Sequence, residues 1–128
     1  MEQLGLVGTA AAGLWMIGVG VFMALMPDNA LRVLRLTAST RTVNNAEQGL
    51  RLIAGLAFLL RSPVSKLPEV FEIAGWFVIL SSLVLLALPL RWHSAYAIWW
   101  ADHFKPVTVR LVAPMSVLTG TGLIYAAL

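Results

Sequence analysis

Residues 45–60 read NAEQGLRLIAGLAFLL, and the reading of this stretch decides the fold. Its second half, from Leu52, is cleanly apolar, while its first half carries Glu47, Gln48 and Arg51. Arg61, Ser62 and Pro63 close it. Three other segments are long and apolar enough to cross a bilayer, which takes about 20 residues. They are Leu4–Met26, ended by Pro27; Glu69–Leu88, between Pro68 and Pro89; and Pro106–Leu128. Counted with them, residues 45–60 make a fourth crossing. Proline at or near each boundary marks where a helix starts or stops.

Composition agrees with a lipid environment. The chain has 128 residues, 59% hydrophobic and only 12% charged, with a mean hydropathy of +0.84. Soluble domains carry about 25% charged residues, and a domain of this size still exposes much of its surface. The sequence is therefore expected to be an all-α integral membrane protein with a single membrane domain. Cysteine is absent, which excludes disulfides, thiolate metal sites and cysteine nucleophiles. A net charge of +3 and a pI near 10.0 would suggest nucleic acid in a soluble chain. Here the basic residues flank apolar runs, so anionic lipid headgroups are the expected counter-charge, and no nucleic-acid partner is expected. The first run has no Lys or Arg before it and is long for a signal core, so it reads as a retained helix.

Two connections are too long for turns. PDNALRVLRLTASTRTV, residues 27–43, separates leucines from Arg32 and Arg35, and Asp28 is placed to cap its start. RWHSAYAIWWADHFK, residues 91–105, puts Trp92, Ala95, Tyr96, Trp99, Trp100 and His103 on one side of a helix. Trp and Tyr favour the headgroup level, so Trp92, Tyr96, Trp99 and Trp100 are expected to anchor a helix lying on the membrane. Arg32, Arg35, Arg41, Arg91 and Lys105 fall on one side, with Arg51 and Arg110 just inside it, against Arg61 and Lys66 on the other. The positive-inside rule then places both long connections in the cytoplasm and both termini outside, as in a bacterial inner membrane.

RLIAG at residues 51–55 and RLVAP at residues 110–114 nearly repeat each other. Gly13-Leu14-Trp15 opens a run ending at Pro27, as Gly75-Trp76 opens one ending at Pro89. With an offset of about 60 residues, the chain reads as two tandem copies of helix, interfacial helix, helix, near residues 1–64 and 65–128. Two crossings per copy make the copies parallel in orientation.

Candidate functional residues follow from charge and size. Arg51, Arg110, Arg32, Arg35, Arg91 and Lys105 are candidates for binding lipid phosphate or an anion. Asn44 and Glu47 have capping-box spacing, and Glu47 precedes Arg51 by four residues, which suits an ion pair. Pro114 and Gly55 loosen their helices just beyond the two arginines. Small residues at Gly8, Ala12, Gly20 and Ala24, and at Ser116 and Gly120, form ridges for close helix packing. His93 and His103 are too far apart for a metal pair, and no phosphate loop or hydrolase elbow is present, so no metal or other cofactor is expected.

Three functions are consistent with these features. The first is a non-enzymatic accessory, assembly or scaffolding subunit packing against lipids and other membrane chains, as homo-oligomer or part of a complex. The second is a small homo-oligomeric transporter or channel for an anionic solute or lipid. The third is a lipid- or quinone-handling enzyme at the interface.

Overall fold

Helix boundaries in the computed structural model, which describes residues 2–36 and 39–128, follow the prolines. The described residues form α1 (Glu2–Leu25), α2 (Pro27–Arg35), α3 (Arg41–Arg61), α4 (Pro68–Ala87), α5 (Leu90–His103) and α6 (Pro106–Ala127), with one 3-10 turn at Ser62–Val64. Pro27, Pro68 and Pro106 each occupy a first helical position, where the missing N–H leaves nothing unpaired. Pro114 sits within α6 without ending it. The chain is all-helical, as expected.

Three local readings are corrected. Asp28 makes no capping bond, because Met26 occupies the N-cap position of α2. The Asn44–Glu47 capping box does not form either, since Thr40 caps α3 through its Oγ1, 3.1 Å from the Val43 N–H. α3 therefore begins at Arg41 rather than near Asn45, and Asn44 is buried inside it. The surface helix expected over residues 27–43 ends at Arg35, and Arg41–Val43 belong to α3. Thr37 and Ala38 of that stretch lie outside the described residues.

Packing is built on glycine. α1 lies against α6 and α3, and α3 lies against α4. A Cβ on Gly13 would stand 2.7 Å from the Gly120 carbonyl oxygen, and one on Gly20 2.8 Å from that of Ala113. Gly55 and Gly75 face each other likewise, each Cβ falling 2.9 Å from the other's carbonyl oxygen. The role of Gly55 is thus close approach to α4 rather than loosening of its own helix. Ser116 adds a hydroxyl bond to the Met16 carbonyl, 2.7 Å, across the α1–α6 seam.

At one end, Phe71 is buried with Ala126 and Ala127, flanked by Leu6 and Leu123. Arg61 closes this end, donating Nε to the Ala127 carbonyl at 2.6 Å and a second nitrogen to that of Glu2 at 3.4 Å. Lys66 donates its backbone N–H to Ala126, 2.8 Å, and its Nζ to the Tyr125 carbonyl, 3.1 Å. Both ends of the chain therefore meet the α3–α4 connection. At the opposite end, α2 packs on α5 and α6, and Arg35 pairs with Asp102.

The outer surface is apolar: Trp15, Ile73, Trp76, Phe77, Leu111 and Leu118 are all exposed. α1, α4 and α6 are long and apolar enough to cross a membrane, and each buries only 17% of its most apolar stretch. α3 has 21 residues, about 31 Å of helix, but falls short of that apolarity. Its polarity is inverted relative to a soluble helix. Leu50, Ile53 and Leu56 are exposed while Asn44 and Gln48 are buried.

The two glycine classes separate experimentally. Gly120→Ala should cost about 1–3 kcal/mol by overpacking the α1–α6 seam. Gly122→Ala, with open space around its Cβ, should be neutral or gain up to about 1 kcal/mol from helix propensity. Thermal unfolding in detergent, followed by helicity, measures both. Equal effects would mean the seam does not depend on backbone contact at Gly120.

Candidate functional site

Helical spacing puts Asn44, Gln48, Arg51 and Gly55 on one face of α3, and that face turns inward. Each polar member meets a different situation. Asn44 Oδ1 accepts from Nδ1 of His93 on α5, at 2.9 Å, with both residues buried. Arg51, half-buried, donates Nη2 to Ser81 Oγ on α4 at 2.6 Å. Ser81 and the buried Ser82 each donate a hydroxyl hydrogen bond to the Val78 carbonyl, at 3.1 and 2.7 Å. Gln48 lies between these two contacts along the helix. It is 0% exposed, yet neither its Oε1 nor its Nε2 has a partner among the described residues. An unsatisfied buried amide of this kind costs about 1–3 kcal/mol.

The position of Arg51 changes its meaning. With α3 starting at Arg41, Arg51 is about 15 Å from the helix start, the midpoint of the helix rather than its edge. The expected Glu47 partnership is not made; the ion pair among the described residues is Arg35–Asp102. Arg110 differs. It lies in the early part of α6, exposed, and donates Nε to the Ala24 carbonyl at the end of α1, 3.3 Å away. Thus the two repeated fragments send their arginines to neighbouring antiparallel helices, one onto a hydroxyl and one onto a free helix-end carbonyl.

The remaining sequence-derived residues fall as follows. Arg32 and Arg91 are exposed, and Lys105 is exposed at the N-cap of α6. Trp92, Tyr96 and Trp99 are exposed on α5, whereas Trp100 is half-buried, edge-on to Trp99 at 4.9 Å and against Phe104 at 5.1 Å. His103 stacks on Trp99 at 3.9 Å and bonds the Trp99 carbonyl. Among the expected packing residues, Gly8 faces Ala57, Gly20 faces Ala113, and Gly120 and Ser116 meet α1. Ala12 is half-buried and Ala24 is exposed. The buried line of α1 is Gly5, Thr9, Gly13 and Gly20.

Chemically, the α3 face is a row of neutral donors and acceptors beside one permanent cation. Among the described residues no group of three His, Asp or Glu side chains is arranged to hold a metal ion. Sequence reading missed the Asn44–His93 pair because its members are 49 residues apart. The signal available was the polar stripe itself, set opposite Leu50, Ile53 and Leu56.

Removing one member of this pair should hurt more than removing both. Asn44→Ala strands the His93 ring and should cost about 1–3 kcal/mol, while Asn44→Leu combined with His93→Leu should recover much of that loss. Unfolding in detergent for the single and double variants checks it. A double variant as unstable as the sum of the singles would show that the pair is not coupled.

Comparison of this chain with protein-family models, with curated proteins and with solved structures finds no match.

Proposed function

We propose that this chain is a non-enzymatic membrane component with four crossings, packing its uncovered helix faces against lipid and other membrane chains. The observation that carries it is the outer face of α4. Ile73, Trp76, Phe77, Leu80 and Val84 are exposed along one side of a helix whose opposite side packs on α3. A continuous apolar face of this length suits hydrocarbon or a second helix.

The fourth crossing is α3. It lies against α1 and α4, with Gly5 and Gly8 near Arg61 and Ala57, Gly55 against Gly75, and Arg51 on Ser81. A helix so packed along its length shares the layer its neighbours occupy, and its inward polar row explains its modest apolarity. Tandem duplication draws support from the pairing: α1 with α6 and α4 with α3 exchange under a swap of halves, and each pair has a glycine contact. α2 and α5, the equivalent short helices, pack on each other. The proposed orientation sets α2 and α5 on the cytoplasmic side, with Arg32, Arg35, Arg91 and Lys105, and both termini outside in an inner membrane.

Cysteines introduced at Ser39 and Ser65 of this cysteine-free chain should react with an impermeant maleimide from opposite faces of sealed vesicles. Reaction from the same face would exclude four crossings in this orientation. A photo-crosslinking residue at Trp76 should trap a protein neighbour in native membranes, whereas one at Ser39 should not. Purified chain in vesicles should show no chloride or phosphate efflux. Lipid adducts alone at Trp76, together with anion efflux abolished by Arg51→Lys, would replace this reading with an anion route along α3.

A further inference from the structure

Charge and hydrogen bonding do not balance along the inward face of α3. Arg51 is fixed at mid-helix by one bond, from Nη2 to Ser81 Oγ at 2.6 Å. That hydroxyl is neutral, and its own proton goes to the Val78 carbonyl. No carboxylate among the described residues pairs with the guanidinium: Glu47, four residues earlier, stands apart, and Asp102 is held by Arg35. Three residues before Arg51, Gln48 is 0% exposed and carries an amide without a partner among the described residues. Residues three apart on a helix have Cβ atoms about 5–6 Å apart, so the Gln48 amide and the Arg51 guanidinium are side-chain neighbours.

The row is rich in donors. An arginine carries only N–H donors, and Ser81 takes a single one of them. Gln48 adds an amide N–H pair and one carbonyl, while the Asn44 carbonyl is already used by His93. Donors in this excess, beside an unbalanced positive charge, call for an acceptor that is itself negative. Water brings as many donors as acceptors and leaves the charge standing. A metal cation would meet the guanidinium as a like charge. Within a membrane segment, an ionised side chain without a partner in its own chain marks an ion or ligand contact. With Gln48 wholly enclosed, that ion is restricted to a few heavy atoms.

We infer that Arg51 and Gln48 together hold one small monovalent anion, of the size of chloride or formate, beside the α3–α4 seam. The anion acts as a counter-ion: it neutralises Arg51 and gives the Gln48 N–H groups an acceptor. The inference rests on the reading of α3 as a crossing, which is what takes Arg51 out of water, but it needs neither a partner chain nor an anion flux. Labelling of the Ser39 and Ser65 cysteines from one face would remove the crossing. Loss of anion binding would remove the site alone.

The test uses the purified chain in a neutral detergent, with chloride or formate replacing the bulkier gluconate at constant ionic strength. Thermal unfolding followed by tryptophan fluorescence reads stabilisation, and broadening of the chloride-35 resonance reads binding directly. The wild-type midpoint should rise with chloride or formate and level off at saturation, as for a ligand held by the folded state alone. Gln48→Met, similar in size and free of the amide, should fold and bind at least about tenfold more weakly, the loss expected for a hydrogen bond to a charged group. Arg51→Met should abolish both the midpoint rise and the broadening. Arg91→Gln, a change at an exposed arginine, should respond as the wild type does. A wild-type midpoint indifferent to the exchange of anions, broadening undiminished in a folded Gln48→Met variant, or an unchanged response in Arg51→Met would each overturn the proposal.

Discussion

Contact between backbones at Gly13 and Gly120 holds the bundle in register, and the other helices are placed by reference to it. In lipid there is little hydrophobic gain in pressing one apolar helix on another, so association depends on close van der Waals contact and on hydrogen bonds between helices. α1 supplies both. Its buried residues are Gly5, Thr9, Gly13 and Gly20, with no large side chain among them. Through this narrow line it seats α6 on one side and α3 on the other, and α3 then seats α4 through Gly55 and Gly75. The bulky residues are displaced outward, which is why Phe71 stands out as a large apolar side chain fully buried.

How much of this was legible depends on whether the cause is local. Prolines fix helix ends locally, and the ends of α1, α4 and α6 were readable from them. The start of α3 was not, because Asn44 and Glu47 imitate a cap whose real owner is Thr40. What draws Asn44 inside the helix is His93, and nothing near Asn44 in sequence announces it. The α1 ridge turns inward at Gly8 and Gly20 but not at Ala24, for a geometric reason. A strict four-residue repeat drifts by about 40° per step around a helix of 3.6 residues per turn. A line that stays on one face must insert a step of three, as Gly13, Met16 and Gly20 do, so Ala24 rotates away from the face that Gly20 buries.

The α3–α4 and α1–α6 pairs both pack through glycine but differ in the chemistry around them. Beside α3 and α4, the interior is polar, with Arg51 on Ser81, Asn44 on His93, and Gln48 left without a partner. Beside α6 and α1, the corresponding zone is apolar and open, and no arginine is among the residues that line it.

The inverted polarity of α3 bears on how such a chain is made. A translocon weighs each emerging segment against lipid, and an arginine at the centre of a helix costs about 2.5–3.5 kcal/mol on that scale. With Arg51 at its midpoint and Gln48 a turn away, α3 is a poor candidate for partitioning alone. Its arginine gains a hydroxyl partner only once Ser81 of α4 is beside it. Under the four-crossing arrangement, α3 is retained near the exit until α4 has been synthesised, and the two leave together as a hairpin closed by the tight turn at Ser62–Val64. Under that arrangement the interior chemistry of the finished bundle is also a rule about the order of its biogenesis, in which the least apolar of the four proposed crossings waits for its downstream neighbour.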